Sequence, residues 1–185
     1  KTIILSTIFI LTIIINTILA ININNHDNNS LHFVKTFNNT TFMYNNKELF
    51  FSGANLAWIN YGNDFGNNQY NTTTKDKLTS YVDDISNNGG NSIRIWLFVE
   101  GASIPQFNEQ TGMVISTDGK NTLVNDVKAF VQYAASKNVF VILCLWNGAL
   151  MREQFMKDLF YDGNKLQSFI DNALKSLILG LKNEP

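Results

Sequence analysis

Three tryptophans, one strand-borne arginine and a few polar side chains mark where chemistry can happen in this 185-residue chain. Arg94 stands out, because it interrupts a run, Ser92 to Val99, that is otherwise almost wholly apolar. A guanidinium inside such a strand cannot stay unpaired, so it is expected to point inward toward a carboxylate. The alternative is a buried ion pair without catalytic meaning. Trp58, Trp96 and Trp146 fall at or just past three predicted strand ends, with Asn55, Glu100 and Asn147 close by in sequence. Flat rings beside hydrogen-bonding groups can stack on the apolar face of a pyranose and hold its hydroxyls. Trp96 is equally compatible with a core aromatic, whereas Trp58 sits in a polar loop. His26 and His32 precede the folded part and Cys144 is the single cysteine, so no metal cluster or intrachain disulfide is expected.

These residues need elements to hold them. Phe42-Met43-Tyr44 and Glu48-Leu49-Phe50-Phe51 flank Asn45-Asn46, and two asparagines tolerate the positive φ of a tight hairpin. The run Leu49 to Ala54 is a predicted strand that opens into the loop Asn55 to Asn71, long enough to suggest function. Thr74 to Asn88 places Leu78, Tyr81, Val82 and Ile85 on one helical face before the stop Gly89-Gly90. Ser92 to Phe98 and Val139 to Trp146 are nearly continuous apolar strands, separated by a long loop and a predicted helix from Thr122 to Lys137. That second helix is expected to bury Val124, Val127, Phe130, Val131 and Ala134. Asp162-Gly163-Asn164 caps a third helix with the stripe Leu166, Phe169, Ile170, Ala173, Leu174, Leu177, Ile178 and Leu181.

Strand and helix alternate three times after a hairpin, which means an α/β fold with parallel strands and right-handed crossovers. The first strand leads into a long aromatic loop rather than a glycine-rich turn that starts a helix, so an open nucleotide-binding sheet is disfavoured. The N-terminal part of a (β/α)8 TIM barrel remains, with about three of eight units present and Leu49–Ala54, Ser92–Phe98 and Val139–Trp146 adjacent. A whole barrel needs roughly a hundred further residues.

Composition narrows the class. A net charge of −1 with scattered Lys and Arg offers no basic stripe for a nucleic acid. Residues 1–20 join Lys1 to an apolar run, Ile3 to Ile15, and close on Ile18-Leu19-Ala20, the order of a cleavable secretory signal. The run falls short of the ~20 apolar residues that span a bilayer, so no stable membrane association is expected after cleavage. Residues 21–32 form an Asn-rich linker, and 33–185 are expected to form the partial barrel domain of a secreted, extracellular protein. Sequons at Asn28, Asn38, Asn39 and Asn71 fit that route, although Asn is abundant enough for such triplets to arise by chance.

Four segments carry a resemblance. Leu49-Phe50-Phe51-Ser52-Gly53-Ala54-Asn55, the stretch Trp58 to Asn67 (WINYGNDFGN), Gly89-Gly90-Asn91-Ser92-Ile93-Arg94-Ile95-Trp96 and Cys144-Leu145-Trp146-Asn147-Gly148-Ala149 resemble glycoside hydrolase family 5 β-mannanases of invertebrate type. The likeness runs from about Phe33 to the last residue. It implies a (β/α)8 barrel that hydrolyses internal β-1,4-mannosidic bonds of a polysaccharide with retention and without cofactor. It also implies an acid/base Glu after strand four, a nucleophilic Glu after strand seven, and for Arg94 the family's role of supporting the nucleophile. Substrate contacts would come from Trp58, Trp96, Glu100, Trp146 and Asn147. A barrel acting on another β-1,4-glucan such as cellulose, or a non-catalytic carbohydrate-binding or vestigial product, are the alternatives.

The tripeptide Asn183-Glu184-Pro185 matches the family's acid/base motif, yet Glu184 is rejected as the catalytic acid. The helical stripe runs to Leu181, which puts Glu184 just past a helix C-terminus, at the end of the barrel opposite the site. A loop and a strand, roughly ten residues, must still follow before strand four ends. By that reading no catalytic residue lies in the 185 residues, and the chain alone is expected to be inactive.

Overall fold

A computed structural model describes residues 33–147 and 153–185, and Phe33–Pro185 forms one compact unit. The predicted signal, the Asn-rich linker, His26, His32, the Asn28 sequon and Gly148-Ala149 lie outside the described residues.

The chain opens with an antiparallel meander of β1 (Lys35–Phe37), β2 (Thr41–Tyr44) and β3 (Lys47–Leu49). Tyr44 pairs with Lys47 across Asn45 and Asn46, whose φ of 52° and 60° give the two-residue turn its twist. A parallel sheet follows, in the order β4 (Gly53–Asn55), β5 (Ser92–Val99) and β8 (Phe140–Trp146). The predicted strand Leu49 to Ala54 is thus two strands. Leu49 ends the meander and pairs with Phe42, and only Gly53–Asn55 joins the parallel ladder, opposite Ser92–Arg94. Between them the Asn91 side chain replaces the ladder: its Oδ1 accepts from Ser52 N at 2.8 Å and its Nδ2 donates to Phe50 O at 2.8 Å. Gly53 is required where the chain rejoins the sheet, because a Cβ there would collide with the Ser92 carbonyl oxygen.

The helices lie where the periodicity puts them. α1 (Thr72–Asn87) is capped by Asn71, whose Oδ1 accepts from Thr74 N, and buries Thr74, Leu78 and Val82. α2 (Leu123–Ser136) buries Leu123, Val127, Phe130 and Ala134, while the expected Val124 and Val131 are half-buried. The third helix is interrupted. α3 (Gly163–Phe169) begins at the predicted cap Asp162, a π-helical segment (Ile170–Leu174) follows, and α4 (Lys175–Leu181) completes it. The widened turn adjoins a docking point, for Ser168 Oγ accepts from Val114 N at 2.9 Å and Asn172 Nδ2 donates to Val114 O at 2.8 Å. Val114 starts β7 (Val114–Ser116), which pairs with β6 (Gln106–Phe107) in a small hairpin where sequence indicated only a loop. Gly180 lets α4 close on α2, since a Cβ there would strike Val124.

Alternation divides β5 between two environments. Ile93, Ile95 and Leu97 are fully buried. Arg94 and Trp96 point to the other face, opposite Ile142 and Cys144 of β8, and that face is open, with Ile142 43% exposed.

Candidate functional site

The open face carries the strand-borne polar residues. Arg94 sits one turn of the pleat below Trp96, and its Nη1 donates to Asn55 Oδ1 at 2.8 Å while Nη2 donates to Cys144 Sγ at 3.1 Å. Its guanidinium also lies 4.8 Å from the centre of the Trp96 ring, within cation–π range. Sequence reasoning expected a carboxylate partner, and among the described residues Arg94 has none. Its neighbours are neutral donors and acceptors, so its positive charge is left to face whatever stands across the open side of the sheet. Burial pushes the Cys144 thiol up, and the Arg94 charge pulls against that shift.

The loop after β4 is built onto this platform from its backbone. Trp96 N donates to Ala57 O at 3.0 Å, which seats Trp58 edge-on to Trp96 at 6.2 Å between ring centres. Tyr61 packs against Trp58 at 4.6 Å. The bend is organised by Asp64, 1% exposed, whose carboxylate accepts from Ile59 N at 2.7 Å, Asn60 N at 2.9 Å and Asn60 Nδ2 at 3.0 Å. Burial raises its pKa, and the three donors moderate that rise.

Further along, Gly66, Asn67 and Asn68 have φ of 74°, 50° and 61° in succession, a conformation that turns consecutive N–H groups to one side. Those three amides meet Asp126 Oδ2 at 2.9 Å, Asp118 Oδ2 at 2.8 Å and Thr122 Oγ1 at 3.0 Å. Asp118 also accepts from Thr122 N at 3.0 Å and Leu123 N at 3.2 Å, capping α2 from outside the helix. Burial raises the Asp118 pKa, but the backbone donors Asn67, Thr122 and Leu123 outweigh it and leave the carboxyl below its usual value. Asp126 is raised, by burial first and by the Asp118 charge last.

At the end of β5 the register shifts between Trp96 and Val99, and Val99 takes φ 52°, an outlier for a β-branched residue. Glu100 follows this bulge. Its Oε1 accepts from Tyr61 Oη at 2.7 Å and from Asn147 Nδ2 at 3.4 Å, and Asn147 N in turn donates to Val99 O at 2.7 Å. Trp58, Glu100 and Asn147, just past the carboxyl ends of three parallel strands, are therefore linked, directly or through Tyr61 and Asn55, to Trp96 and Arg94 further down the open face of β5.

Trp146 is placed otherwise. Its ring joins Phe98 at 5.0 Å, Phe169 at 5.3 Å and Phe160 at 5.7 Å, a cluster that ties β8 to the third helix, rather than converging with Trp58. Gly101 approaches it so closely that a Cβ would stand 3.3 Å from the ring. Glu184 lies against α2, with Oε1 2.6 Å from Lys128 Nζ and Oε2 accepting from Gln132 Nε2 at 2.6 Å. The Lys128 bond comes first among the causes that hold its carboxyl below the usual range.

Tyr61, Asp64, Asp118 and Asp126 carry much of this geometry and were not singled out by sequence. An Asp among Gly and Asn reads as a turn former, and nothing local reveals that Asp118 reaches back 51 residues to Asn67. Gly62 and Gly66, at φ 80° and 74°, are the local signal that this loop turns sharply.

Fold and site together define part of an α/β protein that gathers aromatic and hydrogen-bonding side chains at the carboxyl ends of parallel strands. The comparisons with known proteins name a particular group. The chain is 42% identical over 146 residues to the mannan endo-1,4-β-mannosidase of Cryptopygus antarcticus, covering 79% of this chain and 38% of that one. It is 44% identical over 147 residues to the protein of the same name from Mytilus edulis, covering 78% and 39%. The crystal structure of the Cryptopygus β-1,4-D-mannanase matches with a TM-score of 0.75 over 78% of this chain and 39% of that one. The Eisenia fetida endo-1,4-β-mannanase matches with a TM-score of 0.76 at 41% identity, over 81% and 41%. No protein-family model matches. The chain thus resembles β-mannanases across most of its own length, and it spans about two-fifths of the length of the relatives it matches.

Proposed function

We propose that this polypeptide is the first part of a (β/α)8 glycoside hydrolase of family 5 that cleaves internal β-1,4-mannosidic bonds of mannan outside the cell. The observation that carries the reading is the 42–44% identity, over 146 and 147 residues, to proteins named mannan endo-1,4-β-mannosidase. In this reading β4, β5 and β8 are barrel strands one to three, and the meander β1–β3 covers the amino ends of the strands, where Tyr44 packs on Phe140 at 5.0 Å. The Trp58 and Trp96 rings form the wall against which a sugar stacks, and Glu100 and Asn147 hold hydroxyls. Residues 1–20 direct secretion.

The chemistry would be retaining. One carboxyl protonates the leaving oxygen while a second, ≈ 5 Å away, attacks the anomeric carbon, and water then releases the glycosyl-enzyme. Both carboxylates would belong to strands four and seven. Arg94, whose guanidinium has no carboxylate among the described residues, would then support the nucleophile as a fixed positive charge. The 185 residues by themselves would carry no glycosidase activity.

The test is to express the polypeptide encoded by the complete transcript and assay soluble galactomannan and carboxymethylcellulose side by side. Mannan hydrolysis with retention of the anomeric configuration is expected. Cellulose hydrolysis in its place, or inversion, would overturn the proposal, as would mannan hydrolysis by the 185 residues alone.

A further inference from the structure

Val99 is a backbone outlier at the end of β5. A β-branched residue at φ 52° is strained and persists only where the surroundings hold it. Two contacts do so. Gly62, itself at φ 80°, packs so tightly that a Cβ on it would stand 3.1 Å from Val99 Cγ2, and Val99 O accepts from Asn147 N at 2.7 Å. The bulge therefore locks the loop after β4, the end of β5 and the end of β8 to one another. Its product is the direction of the next side chain, Glu100.

Glu100 is held in an unusual way. Tyr61 Oη and Asn147 Nδ2 both approach Oε1, at 2.7 and 3.4 Å, and among the described residues Oε2 receives no donor. The carboxylate is thus anchored by one oxygen and leaves the other without a donor, one hydrogen bond away from Tyr61, which is 43% exposed and packs on Trp58, itself edge-on to Trp96. A fixed acceptor next to flat aromatic rings matches a pyranose that stacks its carbon face on the rings and turns a hydroxyl sideways.

We propose that Glu100 is a specificity-determining residue that accepts a hydrogen bond from a hydroxyl of a bound pyranose through Oε2, and that Tyr61 is the positioning residue that fixes it through Oε1. This rests on the carbohydrate-hydrolase reading of the same strand ends. Glu100 takes no part in proton transfer or covalent bond formation; its contribution is to binding. A site built around a half-buried, anchored hydroxyl acceptor disfavours ligands that cannot supply the donor, so the residue bears on which sugars are held.

The experiment uses the complete polypeptide with galactomannan and mannohexaose as probes. Glu100→Gln and Tyr61→Phe are compared with the parent for kcat, KM, calorimetric mannohexaose affinity and Tm. Glu100→Gln is expected to raise KM and weaken mannohexaose binding about tenfold, with kcat changed less than twofold and Tm within a few degrees. Tyr61→Phe keeps the ring on Trp58 but frees the carboxylate, and should raise KM about threefold. A kcat loss of a hundredfold or more in folded Glu100→Gln would show that the residue serves the chemistry and would overturn the proposal. Unchanged KM and affinity in both variants would overturn it too. If the parent neither hydrolyses nor binds mannan, the hydrolase reading itself has failed, a result distinct from parent activity with silent variants.

Discussion

The three tryptophans that the sequence marks as candidates serve different ends, and the difference is measurable one residue at a time. Trp146 packs on Phe98, Phe160 and Phe169, with Nε1 buried and unpartnered among the described residues. Trp146→Ala is therefore expected to destabilise by about 3–5 kcal/mol, the cost of a large cavity. Trp58 lies in the loop against Tyr61, so Trp58→Ala should lose less than about half of that stability but weaken carbohydrate binding. Urea unfolding of both variants decides: equal losses would contradict the assignment. Glu184 offers the same kind of contrast. Its carboxylate is taken by Lys128 and Gln132 of α2, and a catalytic acid must instead reach the glycosidic oxygen. In the complete polypeptide Glu184→Gln is expected to keep mannan hydrolysis within about threefold of the parent, because a partly exposed pair contributes ~1 kcal/mol or less. A loss of several orders of magnitude with folding intact would make Glu184 the acid and refute the strand count.

At the level of elements, the loop after β4 depends on buried aspartates. Asp118 has a folded pKa below its unfolded value, so it stabilises the fold at pH above about 4 and loses that contribution as pH falls through its lowered pKa. Asp64 and Asp126 are raised; their contribution favours the fold at low pH and is lost as pH rises through their folded values. Asp118→Asn turns one of the two oxygens that accept backbone N–H groups into an NH2 donor facing an N–H, and should cost roughly 1–3 kcal/mol at pH 7. It should also flatten the fall in urea midpoint between pH 5 and 3. An acid limb as steep as the parent's would transfer the effect elsewhere. The same elements show what sequence can reveal. Periodicity found α1, α2 and the third helix because a buried stripe is a local pattern, and the Asn45-Asn46 turn because it needs only two positive φ angles. It merged β3 with β4, since the separation is made by Asn91, some forty residues away, and it missed the β6–β7 hairpin, whose anchors Ser168 and Asn172 are more than fifty residues on. Arg94 and Trp96 were legible as residues of one face, but the bulge at Val99 that aims Glu100 had no sequence signature.

On the scale of the whole molecule, the unusual feature is a parallel sheet with one open face. Parallel sheets are found with both faces covered, because their connections place helices on one side and further strands or helices on the other. Here β4 and β8 are edge strands among the described residues, Ile142 is 43% exposed, and Phe42 and Phe50 stand 46% and 82% exposed nearby in the chain's strand and hairpin region. Covering such side chains is worth roughly 1–2 kcal/mol each, a sizeable share of the ~5–15 kcal/mol that holds a domain together. Unpaired parallel edges add a template for pairing with other chains. Residues 33–185 expressed alone should accordingly bind the dye ANS strongly, elute as broad oligomers and unfold without a sharp transition. Extending the same chain through the remaining strands of the proposed barrel should abolish the dye signal, because those strands would pair with the free edges and fill the face that carries Arg94, Trp96, Ile142 and Cys144. Size-exclusion chromatography and dye titration of the two lengths make the comparison. A monomeric, dye-silent, cooperatively unfolding 33–185 would mean that the open face is stable in water and that nothing else need cover it, which would remove the physical ground for placing five further strands there.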